Sequence, residues 1–284
     1  MIYLLYFGAT VFCFVSLFLV LQGIHLSRKT KELKAKNDQL SKTCKKLQVL
    51  GKSRDKFLSI ASHELRTPMV VINGFTEFLL SKKFGPINLK QKSFLKTISR
   101  NTTELIDLVN KMLDITKLEA GKMDFEWREI SFPSFLKGSI KELQVMCSKK
   151  NIKLSFSNPE KINLFIKSDP FKLKQILTNL VRNSYKFTPE KGAIKIVFKN
   201  YQKDPQFIKI SVRDNGQGIP HREQKKIFER FHQIGNYLHK TYAGTGLGLN
   251  IVKLTVEKLG GIVWVESEEG KGACFSFTLP KNEF

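Results

Sequence analysis

Residues 2–21 carry no charge and are rich in Leu, Phe and Val. As a helix rising 1.5 Å per residue, about 20 apolar residues cross the ~30 Å hydrocarbon core of a bilayer. The run therefore predicts one transmembrane helix, within a segment 1–25. A cleaved signal peptide would want a basic leading region and a small-residue cleavage site, and neither is evident. Polar residues then take over, punctuated by Leu26, Leu33, Leu40 and Leu47. That seven-residue beat predicts a parallel coiled-coil linker over 26–56. Its seam is poor, because Lys29, Lys36 and Thr43 fill the other core positions until Leu50 arrives.

From residue 57 the step changes to three and four. Phe57, Ala61, Leu65, Pro68, Ile72, Phe75 and Leu79 form one helical stripe. A turn at 82–88 follows, with Asn88 as N-cap of a second helix over about 89–120 that closes at Gly121. Leu95, Ile98, Leu105, Val109 and Met112 share one face of it, widened by Ile106, Leu108, Leu113 and Ile115. Two antiparallel helices cannot bury two stripes this broad. A second copy can, giving a homodimeric four-helix bundle from a helical-hairpin domain at 57–121.

Beyond residue 122 short alternating runs replace the helical period. Strands are predicted at 125–130, 153–157, 193–200, 207–213, 262–266 and 274–279, with helices at 133–149, 170–187 and 247–259. This is a mixed sheet with helices on one face, a separate α/β domain at 122–284. The chain as a whole is of the α plus α/β class.

Composition narrows the partners. With 42% hydrophobic and 26% charged residues the chain is a folding one. Cys13, Cys44, Cys147 and Cys274 are scattered without a C-x-x-C pair, which fits reduced thiols in a cytosol and neither a disulfide framework nor a zinc site. The net charge of +23 raises nucleic acid as a partner. The excess is spread along the chain, however, with no nucleic-acid-binding signature, so none is expected. Its densest part, 28–56, holds eleven Lys or Arg against Glu32, Asp38 and Asp55 directly behind the apolar run. Anionic lipid headgroups are the nearer partner there, with a solvated basic helix as the alternative. The same excess puts the C-terminal side in the cytoplasm by the positive-inside rule. The expectation is a single-pass protein of the cell membrane, catalytic domains cytoplasmic, with no room outside for a sensor domain.

The candidate chemistry begins at Ser62-His63-Glu64-Leu65-Arg66-Thr67-Pro68. At 3.6 residues per turn His63 points roughly 155° from the centre of the apolar stripe, so it is predicted to face solvent. Thr67 lies one turn further on the same face and Glu64 at its border. Pro68 removes the amide that would bond the Glu64 carbonyl, so a local kink is expected. A zinc-protease H-E-x-x-H would need a histidine at 67, where Thr67 stands.

Three further segments are polar in a patterned way. Asn179, Asn183 and Lys186 fall on one helical face, where amide oxygens can ligate Mg²⁺ and a lysine can meet a phosphate. Asp214 ends a strand and enters Gly216-Gln-Gly218, where missing side chains admit a ligand and a carboxylate can accept from an exocyclic amine. Gly244-Thr245-Gly246-Leu247-Gly248 precedes a helix, an arrangement suited to phosphate. Each signal alone is weak, and neither a Walker A pattern nor a Rossmann fingerprint accounts for the glycines.

In this order, over about residues 52–279, the four segments closely resemble the membrane-bound sensor histidine kinases of two-component signalling. The resemblance implies a Bergerat-type ATP-binding domain, the fold shared with gyrase, heat-shock-chaperone and mismatch-repair ATPases. It implies that His63 accepts phosphate, that Glu64 draws the proton off the opposite ring nitrogen, and that Thr67 orients water for dephosphorylation. Asn183 would ligate Mg²⁺, Asn179 and Lys186 would lie near the phosphates of ATP, and Asp214 would contact adenine. Phe228 and Phe231 in Ile-Phe-Glu-Arg-Phe match the family's phenylalanine motif, and 232–243 its mobile lid. The implied partner is an aspartate on a response-regulator receiver domain. Ser184 stands where alanine is usual, expected to be harmless; the larger departure is the missing sensor module. A plain ATPase of the same fold and a non-catalytic nucleotide-binding scaffold are the rival readings.

Overall fold

The structure is a computed structural model that describes residues 2–83, 85–234 and 245–281. The chain divides into two compact units, 1–57 and 58–284. The first element, α1, is Ile2–Leu80. Within the first unit the linker leucines Leu26, Leu33 and Leu40 are each about two-thirds exposed, so the heptad stripe lies open along the helix. Among the described residues no helix is long and apolar enough to cross a membrane. The side chains of 2–21, on which the transmembrane expectation rests, lie outside the described residues, as do those of Leu47, Leu50 and Phe57.

The second unit opens with the end of α1 and with α2, Leu89–Glu119. The expected cap is present in reciprocal form: Gln91 N donates to Asn88 Oδ1 and Asn88 N donates to Gln91 Oε1, both at 2.8 Å. The α1 segment runs helical through Pro68. Polar bonds tie the two helices antiparallel, from Arg66 to Asn110 at 2.5 Å and from Ser99 to Glu77 at 2.8 Å.

The apolar stripe read from the sequence is not the buried seam. Ser62, Met69 and Thr76, at seven-residue steps, are buried, while Leu65, Ile72, Phe75 and Leu79 stay 42–64% exposed. A lone hairpin covers only a narrow strip of each helix. On α2 the same holds for Ile98 and Leu105, which remain exposed, whereas Val109 and Ile115 are buried.

The rest of this unit is a five-stranded sheet of order β2-β4-β5-β7-β6 and a separate antiparallel pair, β1-β3. In chain order these are β1 Arg128–Ser131, α3 Phe132–Ser148, β2 Lys153–Ser157, β3 Phe165–Ser168, α4 Pro170–Phe187, β4 Ala193–Asn200, β5 Phe207–Asp214, α5 Gly248–Lys258, β6 Val263–Ser267 and β7 Ala273–Pro280. Only β2 and β4 run parallel. The period-two alternation explains the layering. Ile194, Ile196 and Phe198 of β4, Ile208, Ile210 and Val212 of β5, and Phe275, Phe277 and Leu279 of β7 pack into one core with α3, α4 and α5. Helices therefore cover one face, as the sequence predicts. The pair β1-β3 is the departure: 165–168 has only four residues and reads as loop, and the strand expected at 125–130 forms instead at Arg128–Ser131.

Candidate functional site

The first group of site residues sits on α1. The side chains of His63 and Glu64 are about three-quarters exposed, with His63 Nδ1 3.6 Å from Glu64 Oε1. That is beyond hydrogen-bond length. Thr67 is exposed one turn on, and its Oγ1 donates to the His63 carbonyl at 3.3 Å. With Nδ1 turned to the carboxylate, Nε2 is the nitrogen open to an incoming group. The polar neighbours of His63 among the described residues are thus Glu64 and Thr67, both on its own helix.

The second group converges on α4. Asp169 caps this helix through Phe171 N at 2.8 Å and Lys172 N at 3.1 Å, and Pro170 fits the first turn. Leu173, Ile176, Leu177, Leu180 and Val181 bury one face, which turns Asn179, Asn183 and Lys186 to a half-buried flank. Burial holds the Lys186 ammonium below the ordinary lysine range. Asn183 makes no side-chain hydrogen bond among the described residues. Its amide oxygen is a hard donor of the kind Mg²⁺ takes beside phosphate and water, so the residue fits that ion.

Asp214 ends β5 and is buried. Its Oδ1 accepts from Gly216 N at 3.0 Å and Ala273 N at 3.2 Å, and its Oδ2 from Ser184 Oγ at 2.8 Å. Ser184, on α4, which the sequence reading set aside, thus contacts the candidate site residue Asp214; its signal was a hydroxyl one position after Asn183. Two glycines enforce the turn. A Cβ on Gly216 would fall 2.7 Å from Phe187 O, and Gly218 has φ +73 with Glu268 O 2.0 Å from the place of its Cβ.

The third wall is the start of α5. Gly248, its first residue, lies opposite Asn179, whose Oδ1 would be 3.8 Å from a Cβ there. Gly246 has φ +67 and its carbonyl accepts from Phe231 N at 3.1 Å. Thr245 Oγ1 accepts from Leu247 N at 3.4 Å. Phe228 is buried edge-on against Phe275, and its carbonyl accepts from Asn250 Nδ2 at 2.9 Å. Phe231 is half-exposed. Gly244 and the lid positions 235–243 lie outside the described residues; at the lid's edge His232 Nε2 is 2.8 Å from Glu223 Oε2.

Among the described residues α4 thus meets Asp214 through Ser184, Gly216 through the Phe187 carbonyl and Gly248 through Asn179. His63 is not among them. A contact the sequence left unread joins the two helical layers: Ile115 and Leu118 of α2 pack with Leu247 and Ile251 of α5, and Glu119 pairs with Arg230.

Two family descriptions match the chain. Residues 53–121 match the His Kinase A (phospho-acceptor) domain, and 168–283 the histidine kinase-, DNA gyrase B- and HSP90-like ATPase. Hybrid signal transduction histidine kinase D of Dictyostelium discoideum is 34% identical over 88% of this chain and 16% of its own length. Full-length ShkA in complex with AMPPNP superposes with a TM-score of 0.68 at 28% identity, over 79% of this chain and 45% of that one. Histidine kinase ThkA in complex with response regulator protein TrrA gives 0.55 at 25% identity, over 80% of this chain and 61% of that one. The chain spans less than a third of the length of the curated relatives it matches.

Proposed function

Since this chain belongs to the sensor histidine kinases, we propose that it is an ATP-dependent protein-histidine kinase that phosphorylates itself on His63 and passes the phosphoryl group to an aspartate of a response-regulator receiver domain. The observation that carries this is the pairing of an exposed His63–Glu64 couple with a second, separately built cluster of polar contacts between Asp214 and α4. The ATP site is read as follows. Asp214 takes the adenine amine, Gly216 and Gly218 admit the base, and Asn179, Lys186 and the Gly244–Gly248 segment receive the phosphates. Phe228 and Phe231 support the lid. Bound beside Asn183, Mg²⁺ would supply neutralisation of phosphate charge.

In the first step the Nε2 lone pair of His63 attacks the γ-phosphorus and the bond to the ADP oxygen breaks, ADP leaving with that electron pair. Glu64 accepts the proton from Nδ1. In the second, a carboxylate oxygen of the receiver attacks phosphorus, and the P–N bond electrons return to His63. Positioning carries most of the work in such transfers. Since His63 contacts none of the nucleotide-site residues among the described residues, the ATP domain swings on the segment at Gly121 to deliver the phosphate. Thr67 would orient water if the same protein dephosphorylates its partner.

A homodimer, an N-terminal membrane anchor at 2–21 and lipid attraction through the basic run at 28–56 complete the proposal, with domains bounded at 25, 56 and 121. The test is incubation of the 284-residue chain with Mg²⁺ and γ-labelled ATP beside its His63→Gln variant. Acid-labile, alkali-stable label on the wild type alone is expected. Equal labelling of both chains would move the phosphoacceptor away from His63, and ATP hydrolysis at one rate in both without label would replace the kinase by a plain ATPase of the same fold.

A further inference from the structure

We propose that Ser184 is a positioning residue that sets the nucleotide selectivity of this chain by fixing the Asp214 carboxylate; this rests on Asp214 being the adenine contact. A carboxylate offers about four lone-pair sites. Three are already taken in this structure: Gly216 N and Ala273 N hold Oδ1, and the Ser184 hydroxyl holds Oδ2 at 2.8 Å. One site remains, on Oδ2. Ser184 is itself 1% exposed and Asp214 7%, so the arrangement is locked inside the domain and not a surface accident.

The geometry has two consequences. First, the carboxylate cannot turn about its last bond without giving up a charge-assisted hydrogen bond at one oxygen or the other, so its plane is set before a ligand arrives. Second, the single open lone pair accepts one N–H and rejects a carbonyl. An exocyclic amine satisfies it; an oxo group in the same place would face a buried carboxylate oxygen. With alanine at 184 two lone pairs of Oδ2 would be open. One would then be left to solvent, or unmet, and the direct contact with the amine would lose its orientation. The helix that carries Ser184 also carries Asn183 and Lys186, so one rigid element sets the base contact and the phosphate contacts together.

The experiment measures binding of ATP and of purine-riboside triphosphate, which lacks the exocyclic amine, to the wild-type chain and to Ser184→Ala. In the wild type ATP is expected to bind more tightly than the amine-less analogue. In Ser184→Ala, ATP weakens about five- to tenfold, the equivalent of one typical hydrogen bond. The analogue's affinity stays unchanged, which also shows that the pocket remains folded. Rates of His63 labelling at saturating ATP are expected to match, so the change falls on KM and not on kcat. Equal weakening of both nucleotides would make Ser184 a packing residue and overturn the proposal, as would no change in either. If the wild type fails to discriminate between the two nucleotides, it is the adenine assignment of Asp214 that falls, and the role of Ser184 with it.

Discussion

Gly218 and Lys186 show how single residues are held in forms that cost the empty fold something. At Gly218 the backbone has φ +73 and the space of a Cβ is filled by the Glu268 carbonyl. Gly218→Ala must therefore strain the turn and push the strand connection away. A loss of about 1–3 kcal/mol in denaturant unfolding is expected, with ATP binding weakened alongside because the same turn seats Asp214. Lys186 is the reverse case, a charge that burial disfavours and that is proposed to meet phosphate. Its folded pKa is depressed. Between that value and the ordinary lysine value the unfolded chain binds more protons than the folded one, so stability from this group rises with pH through that window. Below the window the group's unfavourable contribution is constant. Lys186→Met should leave the nucleotide-free protein at least as stable at neutral pH, and the difference from wild type should shrink towards pH ~10. ATP affinity should fall about tenfold, as for one charge-assisted contact. Paired unfolding curves at neutral and high pH with an ATP titration check both signs; a less stable variant at neutral pH would show that the ammonium's contact with the Phe187 ring, 4.8 Å from its centroid, outweighs the cost of burial.

Among elements, the contact between the end of α2 and the start of α5 bears most directly on catalysis. Glu119 is the last residue of α2 and pairs with Arg230, while Ile115 and Leu118 bury Leu247 and Ile251. Leu247 stands between Gly246 and Gly248, so the turn proposed to receive the phosphates is fastened to the helical hairpin in this arrangement. Because His63 meets only its own helix among the described residues, the proposed transfer requires the fastening to release first. Glu119→Gln should speed initial labelling of His63 about two- to fivefold, the equivalent of a partly exposed ion pair worth ~0.2–1 kcal/mol, and leave ATP affinity alone. Slower labelling would mean that the pair belongs to the productive geometry. None of this contact was legible in the sequence, since Glu119 and Arg230 lie far apart in the chain and carry no periodic signal. The elements themselves were legible where a period is strong. The strand 193–200 and the helix 170–187 fall as expected, because alternation and a Pro-led apolar stripe leave little choice. The pair β1-β3 was not, because four-residue strands carry too short a pattern. The polar positions of the candidate site were named from their motifs taken together and from the family resemblance these carry, since each motif alone is weak. Ser184 could not be, since what gives it meaning is Asp214, thirty residues on and one strand away.

For the whole molecule the open question of burial decides the assembly. The hairpin hides Met69 and leaves Leu65, Ile72, Phe75 and Leu79 of α1 and Phe94, Ile98 and Leu105 of α2 between 42% and 64% exposed. Apolar side chains aligned over several turns on two helices are a contiguous patch of the kind that marks an interface. A second copy is the occupant whose own stripe matches, residue for residue, across a twofold axis. Phe75 is the sharpest probe, being 64% exposed and far from His63 along the helix. Twofold symmetry puts each substitution into the interface twice. Losing two buried aromatic side chains costs about 3–6 kcal/mol at ~1.5–3 kcal/mol each, and two carboxylates brought into the seam add repulsion and desolvation. Phe75→Asp should thus raise the dimer dissociation constant by at least two to four decades, turning a dimer into a monomer at micromolar concentration by light scattering. The monomer keeps its ATP domain, since none of the core of that domain draws on α1. Nucleotide binding should survive while labelling separates two geometries. If His63 receives phosphate from the partner's ATP domain, the monomer is dark, and mixing it with His63→Gln protein restores nothing unless dimers reform. If the phosphate comes from the same chain, the monomer still labels. A variant that stays dimeric would remove the exposed stripe as the seam and return the search to the leucines at 26, 33 and 40.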